Sequence, residues 1–346
     1  MNDYELLRAQ RTKRLCALLA ARKLPALLIC HPRRGGLENW LLAEGHIPAL
    51  PPFGSLNMLL VTDEGKVFPL CAAVNHPCDF PHFPLFHAED WQDVLRSSAI
   101  GIANPDQLQL SVWEDMRRVN PSLQLIDLSE DVYMTAAQKT PEEVSAMRSG
   151  AALYDRIYAA LPRILRPGIS EMQLAAELRH LLEVSGAAVP FLSEDPSLTT
   201  FVDLYSVPER DPVLPSVTHY PGRRIAQGDL VSLQFMGYTP DGHTSLLGRT
   251  VALGAVSPET QARWEILTEF QKNAAELLRP GATLAEISRV LAAPSPDGAA
   301  IASLSVNWLH GMGCSVNEAP RLADASADAA LSENMVVAIA PRLPLP

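Results

Sequence analysis

The sequence predicts an α+β fold of two domains, in which the second domain contains two related copies of a unit of two helices and a strand. Three observations lead to this prediction. At 346 residues the chain is too long for one ordinary hydrophobic core. Short apolar strands alternate with amphipathic helices in the N-terminal part. In the C-terminal part, "LRPGISEMQLAAEL" at 165–178 returns as "LRPGATLAEISRVL" at 278–291.

The N-terminal domain is predicted to span residues 1–135 and to be a small α/β domain. Apolar residues at helical spacing indicate a helix over 3–22, which Pro25 ends, and a second helix near 109–118. Runs of apolar residues bounded by turn residues indicate the strands, and "DEG" at 63–65 indicates a hairpin between two of them. The strands are predicted at 26–30, 56–61, 66–70, 99–104 and 123–128.

The second domain is predicted to span residues 136–346 and to begin with a long helix. Thr140, Pro141 and Glu143 form a typical helix start, with an N-cap, a proline at the first helical position and an acidic residue at the third. Apolar residues then recur every three or four positions as far as Leu161. Pro162 is expected to kink or end this helix.

The repeated segments indicate a duplication. Each copy follows a long amphipathic helix, and Ser170 or Thr283 is placed to cap the next helix. An apolar strand comes later in each copy, "LVSLQF" at 230–235 and "MVVAIA" at 335–340. Two such units in one domain predict a pseudo-two-fold fold with a site between the halves.

Composition and charge bear on the class of partner. The net charge is −11 and no block of five or six basic residues occurs, so nucleic acid is not expected as a partner. No apolar run approaches the length that crosses a membrane, and the N-terminus lacks the features of a signal peptide. The five cysteines show no C-x-x-C spacing, which is typical of reduced thiols. A cytoplasmic protein with no membrane partner is therefore predicted.

Several motifs together resemble the creatinase, aminopeptidase P and prolidase superfamily. They are "KTPEEVSAMR" at 139–148, "THYPG" at 218–222, "GDLVSLQF" at 228–235, "HGMGCSVNEAPRL" at 310–322 and "SENMVVAIAP" at 332–341, besides the repeated "LRPG". The resemblance implies a pita-bread C-terminal domain, a creatinase-type N-terminal domain and a homodimer. It also implies that the C-terminal domain is shortened at its end.

The resemblance also places the five residues that hold two divalent metals in the peptidases of this superfamily. Four positions fall on Gln234, Leu246, His310 and Ala340, and the fifth falls after Pro346. Only the histidine is retained. Two divalent ions need anionic oxygens to offset their charge and to bridge them, and Gln, Leu and Ala supply none. We therefore expect no metal and no other cofactor.

The remaining site residues are assigned by the same resemblance. His219 falls on the catalytic histidine that creatinase uses without metal, and neutral His suits proton transfer near pH 7. Alternatively, His219 is a surface histidine with no such role. The predicted catalytic residues are His219 and His310, and the predicted substrate-binding residues are Gln234, Asn317, Glu318 and Arg321.

For two of these, structural roles are also open. Glu318 could orient a histidine or form a salt bridge at the rim of the site, and Arg321 could bind a ligand carboxylate or form a structural ion pair. The proline-punctuated segment 190–217 is predicted to be a binding loop or a connector, and its acidic residues could supply an acid group.

Two hypotheses on function follow. In the first, the protein acts without metal on the C–N bond of a small amino-acid-like or guanidino or amide compound, by hydrolysis or elimination, with His219 as acid and base. In the second, it is a catalytically inactive pseudo-peptidase whose domain binds a peptide or a protein. The expected ligand is a small molecule or a short peptide in either case.

Overall fold

The computed structural model describes the greater part of the chain. The described residues are 3–30, 37–42, 56–71, 93–108, 110–185, 202–208, 223–238, 243–293, 296–304, 308–314 and 317–343. The chain separates into two compact units. The first comprises Met1–Ala136, Phe191–Ser193 and Pro240–His243, and the second comprises Ala137–Pro190, Glu194–Thr239 and Thr244–Pro346.

The N-terminal unit contains a five-stranded sheet of order β3-β2-β1-β4-β5. Its strands are β1 (Ala26–Cys30), β2 (Leu56–Thr62), β3 (Val67–Cys71), β4 (Ala99–Ala103) and β5 (Gln124–Asp127), and its helices are α1 (Asp3–Arg22), α2 (Leu37–Leu42), α3 (Leu110–Val119) and α4 (Ser129–Ala137). β1 pairs in parallel with β4 and antiparallel with β2. All five residues of β1 are buried, as expected for a central strand. The predicted strands and helices of this region are confirmed.

The C-terminal unit contains two three-stranded sheets, of order β6-β7-β8 and β10-β9-β11. Its strands are β6 (Val202–Pro208), β7 (Asp229–Tyr238), β8 (Thr244–Ala252), β9 (Leu309–Gly311), β10 (Glu318–Arg321) and β11 (Val337–Ile339), and its helices are α5 (Pro141–Ile164), α6 (Glu171–Val184), α7 (Pro258–Leu277), α8 (Leu284–Ala292) and α9 (Pro296–Leu304). The predicted α+β class is thereby confirmed. In the described part of the chain, no helix combines the length and the apolar character needed to cross a bilayer.

The helix starts are set by the caps that the sequence predicts. The side chain of Thr140 accepts a hydrogen bond from the N–H of Glu143, whose carboxylate accepts from the N–H of Thr140 in return. Ser170 caps α6 and Thr283 caps α8 by the same bond to the third helical residue. Pro162 lies inside α5, which ends two residues later at Ile164.

The duplication appears in matching hydrogen bonds. Gly168 and Gly281, the glycines of the two LRPG segments, have φ of 86° and 87°, a conformation that favours glycine. The N–H of Gly168 donates to the carbonyl of Ile225 at 2.8 Å, and the N–H of Gly281 donates to that of Leu331 at 2.8 Å. Each acceptor residue donates back at 2.8 Å, Ile225 to Ile169 and Leu331 to Ala282. The two halves therefore use one turn design.

The turns that lead into β7 and β11 also correspond. Gly228 directly precedes β7 and Asn334 lies three positions before the start of β11, and both have positive φ, 87° and 66°. Asn tolerates this left-handed conformation better than most residues other than glycine. β7 pairs with β6 as β11 pairs with β9. Applied to the strands, this correspondence places Ala340 where the first half has Gln234.

Candidate functional site

One face of β7 packs in the hydrophobic core. Leu233 and Phe235 are buried in a cluster with helices α5 and α6. The Phe235 ring stacks on Tyr154 at 5.8 Å between centroids and is tilted against Tyr158 at 4.7 Å. Since alternate strand residues point to opposite faces, Gln234 lies on the other face, and it is only half-buried.

The pairing of β7 with β8 brings two of the predicted metal positions together. Gln234 lies opposite Gly248, and Met236 lies opposite Leu246. Gln234 and Leu246 are therefore diagonal neighbours on one face of the sheet. On the other side of β7, Asp203 of β6 takes the register position opposite Gln234. The predicted loop 190–217 thus contains a strand, and its remaining residues lie outside those described.

His310 lies in the middle strand of the second sheet. Its cross-strand partners are Ala338 on β11 and Arg321 on β10, so the three residues share a face. Ala340, the fourth predicted metal position, follows directly after β11, and its N–H donates to the carbonyl of Trp308 at 2.7 Å. This position has no side-chain donor atom.

The hydrogen bond of His310 fixes its tautomer. Nδ1 lies 3.0 Å from the carbonyl oxygen of Gly311, which only accepts, so Nδ1 carries the proton. The second ring nitrogen, Nε2, then has a lone pair in the neutral form. Burial lowers the pKa of His310 below its ordinary value, despite the opposing effects of the Gly311 hydrogen bond and the Glu318 carboxylate. His310 is therefore neutral at pH 7.

Glu318 forms the predicted salt bridge, but the residue is fully buried and does not lie at the rim of the site. Its carboxylate forms an ion pair with Lys139, whose side chain is also fully buried, and accepts from the N–H of Cys314 at 2.7 Å. A Cβ on Gly313 would lie 2.6 Å from the Lys139 Nζ, so the pair requires glycine there. A buried charge without a partner would carry a large desolvation penalty. The two buried charged groups therefore pair with each other. Sequence analysis missed Lys139, whose only signal was its place before the Thr140 cap.

Arg321 makes a structural ion pair. Its Nε lies 2.5 Å from the carboxylate of Asp324, and Nη1 lies 3.5 Å from the carbonyl oxygen of Asn317. The side chain is 29% exposed, so part of the guanidinium reaches solvent. Asn317 itself is half-buried. The ion-pair alternative is confirmed for Arg321, and contact with a ligand stays a prediction.

The structure leaves one predicted catalytic residue undescribed. His219 belongs to 209–222, which lies outside the described residues. The acid–base role of His219 therefore stays a prediction.

The donor set does not fit a pair of divalent ions. Gln234 offers a neutral amide, Leu246 and Ala340 offer no donor atom, and His310 offers one imidazole nitrogen. Bridging two such ions takes carboxylates, which concentrate negative charge between them. Within the described parts of the chain, no three His, Cys, Asp or Glu side chains are grouped so as to hold a metal ion. The described positions that the resemblance assigns to metal ligands are thus polar or apolar but not anionic.

Comparison with known proteins gives the class and then the family. The fold is that of the pita-bread peptidases: the prolidase from Pyrococcus horikoshii OT3 superposes with a TM-score of 0.70 at 20% identity, covering 96% of this chain and 90% of that one. The dipeptidase PepE from Mycobacterium ulcerans gives a TM-score of 0.71 at 22% identity, covering 98% of this chain and 89% of that one. These likenesses show the fold.

The family follows from sequence. The model of metallopeptidase family M24 matches residues 145–346, and the chain belongs to this family. The putative dipeptidase YkvY of Bacillus subtilis (strain 168) is 25% identical over 242 residues, which cover 70% of this chain and 63% of that protein. The chain thus spans less than two thirds of that relative. The resemblance to the creatinase, aminopeptidase P and prolidase superfamily is confirmed.

Proposed function

We propose that this chain is a member of family M24 that binds a short peptide or an amino-acid-like compound without metal. One observation carries the proposal. The strand face that would hold carboxylates in a two-metal site presents Gln234 and Leu246 on the first sheet, and Ala340 takes the equivalent position in the second half. With no charge at these three positions, the site suits an uncharged, partly apolar ligand.

The rate acceleration that one acid–base side chain can supply favours a binding role over hydrolysis of a peptide bond. General acid–base catalysis by a positioned side chain contributes roughly 10²–10⁴-fold. Enzymes as a class accelerate their reactions by about 10⁶-fold or more. His310 is the one predicted catalytic residue that the structure describes, and no three His, Cys, Asp or Glu side chains among the described residues are grouped so as to hold a metal ion. Such a site supports recognition better than it supports cleavage of an amide.

The polar groups suit a peptide. The side-chain amide of Gln234 both donates and accepts, which matches a peptide unit, and Leu246 beside it suits an apolar side chain. The exposed part of Arg321 and the Asn317 amide provide further donors. The similarity to YkvY, named as a putative dipeptidase, supports a ligand of dipeptide size.

The proposal is tested by calorimetric titration of dipeptides, including Xaa-Pro dipeptides, into chelator-treated protein. We expect binding that persists in excess chelator and that weakens about tenfold in Gln234→Leu, since one polar partner is worth on the order of 1.4 kcal/mol. Met172→Ala serves as control, because Met172 is exposed on α6. The proposal is contradicted if none of the dipeptides binds, or if Gln234→Leu binds them as tightly as Met172→Ala does.

The state of His310 favours a second candidate, metal-independent action on a C–N bond. A neutral imidazole whose Nδ1 donates to the Gly311 carbonyl presents Nε2 as a base. In this scheme His219 is the acid–base group and His310 assists, on a substrate more reactive than a peptide.

This candidate is tested by assaying N-substituted amino acids, amides and ureas with chelator present. We expect turnover by the wild type that His219→Ala abolishes and His310→Gln lowers by about 10²-fold or more. Turnover unchanged by both substitutions removes the two histidines from any mechanism. A wild type with no turnover leaves the binding proposal standing and rejects this one.

A further inference from the structure

The turn at the end of β9 passes directly over a buried ion pair. The turn comprises residues 311–314, and the ion pair is that of Lys139 and Glu318. A Cβ on Gly313 would lie 2.6 Å from Nζ of Lys139 and 3.2 Å from Oε1 of Glu318. The N–H of Cys314 donates to Oε2 of Glu318 at 2.7 Å. The carboxylate therefore holds the far end of the turn, and the pair leaves room only for glycine beside it.

Glu318 also contacts the near end of this turn, through its backbone. It lies opposite Gly311 in the antiparallel pairing of β9 with β10. A Cβ on Gly311 would overlap the carbonyl oxygen of Ala319 and would lie 3.0 Å from that of Glu318. Backbone that packs this closely requires glycine at the contact. One residue therefore contacts the turn twice, by its main chain at Gly311 and by its carboxylate at Cys314.

The peptide between Gly311 and Met312 determines the state of His310. β9 lies between β10 and β11, and the N–H of Met312 donates to the carbonyl of Val336, on the β11 side, at 2.9 Å. Because the N–H and the C=O of a trans peptide point in opposite directions, the Gly311 carbonyl points towards β10. There it accepts from Nδ1 of His310. A rotation of this peptide would remove the acceptor, and the imidazole proton could then lie on either nitrogen.

We propose that Lys139 and Glu318 are positioning residues for His310. Glu318 holds both ends of the turn, so that the Gly311 carbonyl keeps the imidazole proton on Nδ1 and leaves the lone pair on Nε2. A carboxylate suits this role, because hydrogen bonds to an ionised acceptor are about twice as strong as neutral ones. Lys139 offsets the charge of that carboxylate in the interior. The inference rests on the proposed function for the use of Nε2, since that function places His310 in the ligand site.

Two double variants of the full chain separate the hydrogen bond of Glu318 from its charge. Lys139→Met with Glu318→Gln removes both charges and keeps an oxygen that accepts from the N–H of Cys314. Lys139→Met with Glu318→Leu removes that oxygen as well. Neither variant leaves a buried charge unpaired, and replacing a buried ion pair by uncharged groups of similar volume is often neutral for stability. Both double variants are therefore expected to fold.

The readout is the tautomer of His310, measured by long-range nitrogen–proton NMR on protein that carries isotope-labelled histidine. The pH is kept well above the ordinary pKa of imidazole, and His310→Gln assigns the signal. We expect the wild type to carry the proton on Nδ1. With Glu318→Leu, the ratio of the two tautomers should shift towards protonated Nε2 by about tenfold, the effect of losing one hydrogen bond. With Glu318→Gln the shift should be smaller.

A buried residue of the other half supplies the control for a general loss of stability. Leu178→Ala truncates a side chain in the core of α5, α6 and β7 and should leave the tautomer of His310 unchanged. The proposal is overturned if the wild type carries the proton on Nε2, if the Glu318→Leu variant keeps the wild-type ratio, or if Leu178→Ala shifts it as far. Gly313→Ala decides the question if that double variant does not fold. Its Cβ would displace Lys139 and should shift the ratio in the same direction.

The tautomer is observed without ligand, so this result is independent of the dipeptide titrations. If no dipeptide binds but the tautomer responds as expected, the proposed function is rejected and the positioning of His310 stands. If dipeptides bind and the tautomer does not respond, the positioning role alone is rejected.

Discussion

The two halves of the C-terminal unit have the same turns, but the pairing and packing of their strands differ. Both have a glycine of positive φ in an LRPG turn and a hydrogen-bonded exchange with the segment before the strand. In the first half the strand that follows is paired on both sides, and an aromatic cluster of Phe235, Tyr154 and Tyr158 packs against it. In the second half β9 pairs with one side of β11, and no other strand of the described residues pairs with it.

The comparison separates residues that make the fold from the positions that the resemblance assigns to metal ligands. The caps and the LRPG turns make the same hydrogen bonds in both halves. Site positions act through charge, and here Gln234 and Ala340, equivalent positions of the two halves, both lack it. The fold does not depend on charge at these positions, because its stability comes from burial and caps.

The largest effect is expected where the halves are joined. Lys139 precedes the first helix of one half, and Glu318 lies in the second, and both are fully buried. Lys139→Met leaves the Glu318 carboxylate unpaired and should lower the free energy of unfolding by about 3–5 kcal/mol. Glu177→Gln, which breaks the exposed pair of Arg166 and Glu177, should change it by less than about 1 kcal/mol. Denaturant titration measures both, and equal effects would show that the halves are not held by this pair.

A matched truncation compares the covering of the two strands. Leu233→Ala in β7 should destabilise by about 2–5 kcal/mol, as for other buried leucines. Ile339→Ala at the equivalent position should cost about half as much in dilute protein, since Ile339 is half-buried. The shift of the denaturation midpoint gives the ranking. A larger effect at Ile339 would mean that β11 is covered in the single chain.

The caps should behave alike in the two halves. Ser170→Ala and Thr283→Ala each remove an oxygen that accepts from the third helical N–H, and each should cost about 1 kcal/mol. Ser170→Ala should cost slightly more, because Gln173 returns a hydrogen bond to the cap. Thermal unfolding measures the pair. A difference of several kcal/mol would contradict the equivalence of these turns.

The smallest effect concerns pH. Burial lowers the pKa of His310 in the folded state, so below its ordinary value of 6.5 the unfolded chain binds the proton more readily. Stability should therefore fall as the pH is lowered below 6.5, and His310→Gln should lose less over the same range. Urea titrations at a series of pH values give the slopes. Identical slopes in the two proteins would show that His310 titrates alike in the folded and unfolded states.

The sequence was sufficient to predict those features that depend on only a few neighbouring residues. The caps at Thr140, Ser170 and Thr283 and the repeated LRPG turn act within a few residues, and each is present in the structure. The strand β6 was missed because prolines on either side made the segment resemble a loop, and pairing with β7 decides it instead.

Contacts between residues far apart in the sequence could not be predicted from it. Nothing near Glu318 signals Lys139, and the short spacing to His310 suggested a different partner. The pairing depends on how the two halves pack, which local propensities do not encode.

Metal content measured by inductively coupled plasma mass spectrometry tests the central claim most directly. The purified chain would be incubated with manganese, cobalt, zinc or iron and then dialysed, in parallel with the triple variant Gln234→Asp, Leu246→Asp and Ala340→Glu. We predict far less than one ion per chain for the wild type, and more bound metal in the variant. One or two tightly bound ions per wild-type chain would contradict the account.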